Sequence, residues 1–508
     1  MTTSTSNAPQ GERLRADLVA PPLSPAASRP PSAPPGASAA SARELPRTVW
    51  SRFIILMLCL AVVTTTLAFG TVHAWSLAAF QLSAALVLAL WMLDAWRTRA
   101  LRVSLNPLQF PLVAFFVVGL VQLLPLGGAA LSLDPQATRV TLVELSGLLV
   151  YFGAALVFVD SPGRLKLMAR LVIIFGFLLG IYGLMQHFIN PSTIFWLREP
   201  KQAEPFGPYI NRHHFAGYME LVLAMPLGLM FAGAVARERM LLYAFASAMM
   251  AIALVMTNSR GGLVGMVCEV LFLAAVSSLA RARGQEGEKL SGGERLRAAA
   301  VRTGLGFAMV LAVLVGVLYF GGEGALSRML GTVNSADPTT GRAQFWRGAL
   351  QIIRDHPWLG TGLGSFGVAY TRYDAGNGAY RPEQAHNDYL QIFSDAGVVG
   401  GLLGLVFVLL LFRAALKRMQ SRDRFRRGVA LGALAGCAGV LVHSFFDFTL
   451  HTTANALMFL LLATLATADG RVEESDDGSR RQRRRRRLRR EEVERDTGVA
   501  PEKEGAAA

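Results

Sequence analysis

Twelve apolar runs of roughly bilayer-crossing length dominate this chain of 508 residues. They lie near 53–71, 75–96, 107–125, 139–159, 170–189, 214–235, 240–257, 262–280, 303–320, 396–412, 429–447 and 453–468. A helix needs about 20 predominantly apolar residues to cross a bilayer, and inside lipid only helices or closed barrels satisfy the backbone. The pattern therefore predicts an all-α integral membrane protein of about twelve transmembrane helices. The pattern is least marked at the breaks 71–75 and 257–262. Hydrophobic residues make up 52% of the chain and charged residues 17%, a balance that excludes an ordinary soluble domain.

Charge sets the expected orientation. Every second connection is basic: Arg97/Arg99/Arg102, Arg164/Lys166/Arg170, Arg237/Arg239, Arg281 to Arg302, and Arg413 to Arg427. The alternate short connections carry few cations: none between the first two runs, Arg139, Arg260, and none between the last two. The positive-inside rule puts the basic set in the cytoplasm, with both termini. The net charge of +15 then reflects topology and the tail block Arg483 to Arg487, not a nucleic-acid partner. Residues 1–50 are rich in Pro, Ala and Ser and read as a disordered cytoplasmic tail; 51–468 form the membrane domain; 469–508 form a second disordered tail, either solvated or touching anionic lipid. No cleavable signal peptide is apparent. Cys59, Cys268 and Cys437 are far apart in apolar runs and suit core packing rather than a disulfide framework or metal spacing.

Polar chemistry collects on the other face. One group is Asn211-Arg212-His213-His214-Phe215, another Asn258-Ser259-Arg260-Gly261-Gly262, and a third His443-Ser444 through Asp447 to His451. The long loop 321–395 between the ninth and tenth runs supplies the rest. Arg260 reads either as an interfacial anchor or as a guanidinium fork for phosphate oxygens. Arg342 opens a helix in which Phe345, Ala349 and Ile352 recur at helical spacing; it is a salt-bridge partner within the loop or an anion ligand at a helix N-terminus. Arg347 and Arg354 fit the solvated face of that helix. His386 opens a second helix that ends at Gly397, and is either a loop-holding hydrogen-bond partner or a general base. Asp388 either orients His386 or caps the helix. His213, His214 and His386 lack zinc-ligand spacing, so no metal or other cofactor is expected. Gly360-Thr361-Gly362-Leu363-Gly364-Ser365 lacks the Lys-Ser/Thr of a nucleotide loop and reads as a tight turn. The segment 371–381 has little to bury and is expected to be mobile.

At these residues the chain resembles the O-antigen ligase and O-antigen polymerase superfamily of bacterial envelope enzymes. The matching pieces are Asn211 to Gly217, Ser259-Arg260-Gly261-Gly262, Gly341-Arg342 to Trp346, His356-Pro357 to Phe366, His386-Asn387-Asp388-Tyr389-Leu390, and His443-Ser444 with Asp447-Phe448. The resemblance covers roughly 50–468. It implies inverting, metal-independent glycosyl transfer at the periplasmic face of the inner membrane, from a glycan on undecaprenyl diphosphate to a glycan or lipid A core acceptor. It implies that Arg260 and Arg342, with Arg212, bind the diphosphate, and that His386 accepts or positions the acceptor hydroxyl, supported by Asn387 and Asp388. Membrane lipids, a flippase and chain-length regulator proteins are the partners it implies. The tandem His213-His214 departs from the family pattern, and neither takes a role from it. Polymerase, ligase and protein-glycosylating activities stay open, with polymerase slightly preferred. A lipid-linked oligosaccharide flippase is the alternative from another class. Its cavity would need charges within the spans, where the notable carboxylates, Asp94, Glu144, Glu220 and Glu269, sit mostly near span ends. A scaffold role for the tails is the third reading.

Overall fold

The computed structural model describes residues 48–469 apart from 127–128, 202, 285–341 and 375–380. The expected ninth span, 303–320, the start of the long loop, nearly all of both tails, and most of the segment expected to be mobile lie outside the described residues. The other expected spans fall on helices: α1 (Val49–Leu67), α2 (Ala74–Thr98), α3 (Gln109–Gln122), α4 (Pro135–Phe158), α5 (Pro162–Ile189), α6 (Arg212–Phe231), α7 (Arg237–Met256) and α8 (Arg260–Gly284). After the long loop's α9 (Arg342–Asp355) and α10 (Phe366–Tyr370) come α11 (Asp388–Arg418), α12 (Arg424–His443) and α13 (Thr453–Thr467). Nine of the described helices are long and apolar enough to cross a membrane; α3 and α13 are apolar but shorter. Among the described residues the one strand pairing is a two-residue antiparallel contact, Pro125 with Ala130 and Leu126 with Ala129. The chain is a multi-pass, all-α membrane protein.

Local chemistry sets the helix starts. The side chains of Thr48, Asp134, Asn211, Asn387 and Asp423 each accept from a first-turn backbone N–H of α1, α4, α6, α11 and α12. The breaks expected at 71–75 and 257–262 are real. Gly70, at φ +72°, lies between α1 and α2, and Asn258, at φ +53°, lies between α7 and α8.

Helix α6 is enclosed by its neighbours along its whole length. It meets α12 backbone to backbone: a Cβ on Gly228 would lie 2.3 Å from the Gly432 nitrogen, and one on Gly436 would lie 2.7 Å from the Leu221 oxygen. Lipid gives two helices little hydrophobic reason to associate, so small residues that permit close van der Waals packing carry such contacts. Leu402, Leu405 and Leu409 recur along one exposed stripe of α11, as lipid-facing residues do.

Polar groups collect at the two ends of this bundle. At one end Asp94 pairs with Arg102 (3.3 Å) and hydrogen-bonds Thr48, while Asp160 pairs with Arg164 (3.0 Å). The Arg426 side chain, fully buried, donates to the carbonyls of Leu465 (3.0 Å) and Ala468 (2.7 Å) that α13 leaves open. These are the ends that carry the basic connections. The N-termini of α6, α8 and α11 meet the α12–α13 connection at the other end.

The helix opened by Asp388 does break at Gly397, where φ is +62° and ψ −162°, and a new helical stretch continues to Arg418. The glycine-rich turn fills that break. Thr361 and Gly362 donate to the carbonyls of Ser394 (2.9 Å) and Asp395 (3.0 Å), and Val398 donates to Pro357 (2.7 Å). The buried Gln122 amide donates to Leu359 (2.6 Å) and Asp395 (2.8 Å) and accepts from Leu363 (3.0 Å). A broken helix at membrane depth needs such substitutes for its lost ladder. The turn is a structural clamp.

Candidate functional site

The connection between α12 and α13 carries Asp447 to the centre of the polar end. Its carboxylate is 1% exposed. One oxygen, Oδ2, accepts from Arg342 Nη2 at 3.0 Å; the other, Oδ1, lies 3.2 Å from His386 Nδ1 and accepts from the Phe448 N–H at 2.9 Å. Burial alone would raise this carboxyl group. The hydrogen bond from His386 and the charge of Arg342 outweigh burial and hold it well below the usual carboxylate range. Asp447 is therefore an anion at any physiological pH.

Each partner reaches Asp447 for a local reason. Arg342 is the first residue of α9, an amphipathic helix that buries Ala349 and Ile352 against Phe366, Ala369 and Tyr370 and leaves Arg347 and Arg354 exposed. Its guanidinium also donates to the Phe446 carbonyl. The ion pair thus ties the long loop to the α12–α13 connection rather than closing within the loop. His386 stands just before the Asn387 cap of α11, at φ +51°, a conformation costly for a residue with a Cβ. Its neighbours hold it there. Asn387 caps α11 and donates to the Phe445 carbonyl (3.0 Å), and the Asp388 N–H donates to the Ser444 carbonyl (2.9 Å). The His386 ring stacks on Phe345 at 6.0 Å and takes the edge of Phe448 at 4.8 Å. With an anionic Asp447 on Nδ1, the ring's hydrogen resides there and Nε2 presents a lone pair.

The remaining expected residues are arranged differently. Asp388 neither caps α11 nor touches His386: its carboxylate accepts from Ser444 Oγ (2.7 Å) and pairs with His451 (2.6 Å). Arg260 is the exposed first residue of α8, directly after Ser259. Arg212, at the start of α6, pairs with Glu204 and lines a cleft of ≈ 390 Å³ with His187, Phe206, Thr257 and Asn258, beside the Ser259–Arg260 step. Arg342 and His386 thus share one carboxylate, while Arg212 pairs with Glu204 and Arg260 opens α8.

Several residues were not singled out by the sequence. Asp447, the hub, was only one member of a polar group, although a lone carboxylate between two apolar runs is a signal in itself. His213 and His214 point apart: His213 Nδ1 lies 2.9 Å from Ser259 Oγ, and His214 Nδ1 lies 2.9 Å from Thr452 Oγ1. Glu220 and Glu269, expected near span ends, are fully buried about two turns into α6 and α8. Among the described residues, no three His, Cys, Asp or Glu side chains are grouped so that they could hold a metal ion.

His451 gives the site a pH signature. Partial burial would lower it, but its bond to Asp388 and the charges of Asp388, Asp395 and Glu144 raise it. A raised imidazole stabilises the fold fully below its unfolded value, near pH ~6.5, and that contribution is lost as pH rises through the folded value. Wild-type protein is therefore expected to lose thermal stability between about pH 6.5 and the higher folded value, and His451→Gln to flatten that slope, read as the unfolding midpoint against pH. An unchanged slope in the variant would remove His451 as the cause.

Residues 245–405 match the family model described as O-antigen ligase. The chain carries a domain of the O-antigen ligase and polymerase superfamily. The match begins within α7, ends within α11, and takes in Ser259, Arg260, Arg342 and His386; the segments bearing Arg212 and Asp447 lie outside it. No curated protein matches the chain. The superfamily places this protein among membrane enzymes of glycosyl transfer, of the ligase or polymerase kind, whose partners are a lipid-linked glycan and an acceptor.

Proposed function

We propose that this O-antigen ligase-family protein catalyses inverting glycosyl transfer from a glycan on undecaprenyl diphosphate, at the periplasmic face of the inner membrane, to polymerise or ligate a surface polysaccharide. The carrying observation is the shared carboxylate: Asp447 bonds both Arg342 (3.0 Å) and His386 (3.2 Å). That arrangement sets a cation and a bare imidazole nitrogen side by side at one end of the bundle. The prenyl chain stays in lipid while its diphosphate meets Arg342, with Arg260 and Arg212 contributing charge at the rim. His386 Nε2 takes the proton of the attacking sugar hydroxyl as that oxygen bonds to the anomeric carbon from the face opposite the leaving group. The anomeric C–O bond breaks, its electron pair remains on the diphosphate, and the arginines stabilise the charge that develops there. Asn387 and Asp388 support the site by fixing the backbone that holds His386.

The reading is tested in a deletion strain complemented with wild type or Arg342→Ala at equal membrane abundance. Arg342→Ala is expected to lower surface polysaccharide about a hundredfold or more, as the loss of a preorganised charge donor does elsewhere. Single lipid-linked repeats accumulating would assign polymerase; full-length lipid-linked chains accumulating would assign ligase. Donor failing to appear at the outer face would point to the flippase, and normal glycan would remove Arg342 from the site.

A further inference from the structure

A chain of hydrogen bonds leads from the site into the bundle core. His213 Nδ1 lies 2.9 Å from Ser259 Oγ; Ser259 Oγ lies 3.4 Å from His443 Nε2; His443 Nδ1 lies 3.2 Å from Glu220 Oε2. Glu220 and His443 are essentially inaccessible. They sit in a notch of small residues: a Cβ on Gly265 would lie 2.5 Å from Glu220 Oε1, and one on Gly261 would lie 2.5 Å from the His443 ring. Glu220 Oε1 has no hydrogen-bond partner, and neither oxygen of the nearby Glu269 has one. Among the described residues, His443 is the one ion-pair partner of Glu220.

This burial fixes the direction of every hydrogen in the chain. A net negative charge in such a notch, with bare carboxylate oxygens, is far costlier than a neutral pair. The neutral pair is either carboxylate with imidazolium or carboxylic acid with imidazole. In the first, both ring nitrogens carry hydrogen. In the second, Nδ1 accepts from the acid, so the ring's hydrogen is on Nε2. Both give a hydrogen on His443 Nε2, donated to Ser259 Oγ. The same oxygen accepts from the Gly262 N–H at 3.3 Å, which uses both lone pairs. Its own hydrogen is left to donate to His213 Nδ1. His213 then holds its hydrogen on Nε2. The distance to Asp447 agrees: His213 Nδ1 and Asp447 Oδ2 are 3.9 Å apart, beyond a hydrogen bond, as two acceptors must be.

We propose that the buried Glu220–His443 pair, acting through Ser259, fixes His213 as a neutral Nε2–H donor to the diphosphate, opposite in polarity to His386. The proposal rests on the transferase reading above. Two histidines beside one carboxylate then divide the reaction: His386 accepts from the incoming hydroxyl, and His213 donates to the departing diphosphate oxygen. Glu220, His443 and Ser259 are positioning residues.

The test uses the full chain in lipid nanodiscs, with farnesyl diphosphate as the probe of the diphosphate site and nitrogen-15-labelled histidine to read tautomers by solid-state NMR. The His213 signals, assigned by their loss in His213→Asn, are expected to show a protonated Nε2 and a bare Nδ1. Ser259→Ala should abolish that preference and weaken farnesyl diphosphate binding about tenfold, the loss of one hydrogen bond to a charged group; Ser259→Thr should restore both. Ser259 also caps α8, so a purely structural role predicts a lower unfolding midpoint with the His213 tautomer unmoved, and that result overturns the proposal. So does a wild-type His213 protonated at Nδ1, or unchanged binding in Ser259→Ala. If Arg342→Ala binds the probe as tightly as wild type, the diphosphate site itself is misplaced and the transferase reading falls with it.

Discussion

His386→Ala is expected to lower the rate of glycan transfer by about a hundredfold to ten-thousandfold, the usual range for a lost general base. The side chain touches little that holds the fold: its contacts are Asp447, Phe345 and Phe448, and the ring is 26% exposed. The backbone should keep its conformation, since alanine carries the same Cβ at φ +51° and the Asn387 and Asp388 hydrogen bonds that hold it there are untouched. Membrane abundance should therefore stay near wild type while activity falls. Asp447→Asn provides the contrast. It keeps the shape of the site but removes the anion that holds the His386 hydrogen on Nδ1 and leaves Arg342 without its counter-charge. Breaking a buried ion pair costs about 3–5 kcal/mol, so this variant should lose stability as well as rate. The measurement is product formed per unit of membrane-inserted protein, alongside the thermal midpoint. His386→Ala turning over at the wild-type rate would exclude it as the base.

The sequence carried the fold well wherever local rules decide it. Bilayer length and the alternation of basic connections place the apolar runs that fall on the described helices. The His386 motif marks the start of α11, though Asn387 rather than Asp388 is its cap, and Gly397 marks its break. The glycine-rich stretch was recognisable as a turn because the partners of a nucleotide loop are missing. Local rules fail where the determining partner is remote. Asp447 meets His386 across 61 residues and Arg342 across 105, and no periodicity encodes such pairings. The full burial of Glu220 is hidden from the sequence for a related reason. Hydropathy finds a span but not which of its faces is covered, and α6 is covered on all of them. Ser259 Oγ accepts locally from the Gly262 N–H, but its contact with His443 spans 184 residues.

The α6–α12 contact supports the second large expectation, that Gly432→Leu prevents the membrane domain from assembling. A Cβ at Gly432 would lie 2.6 Å from the Ala224 carbonyl oxygen and 2.9 Å from the Met225 Cα, so backbone rather than a yielding side chain stands in the way. Forcing even small excess volume into a packed core costs about 1–3 kcal/mol, and leucine here must also push two helices apart along the Gly228–Gly436 seam. In lipid no hydrophobic gain offsets that separation. The consequence reaches the site, because α6 carries Arg212 and His213 at one end and α12 leads directly into Asp447. Gly404 is the control. It lies in α11 with nothing within 4 Å of a built Cβ, so Gly404→Leu should be neutral or slightly stabilising, as removing glycine from a helix interior generally is. Folded protein in the membrane fraction and its thermal midpoint in detergent read both variants. Gly432→Leu matching wild type in both would mean that α6 and α12 are not held at backbone contact, and that the geometry joining His213 to Asp447 rests on other helices.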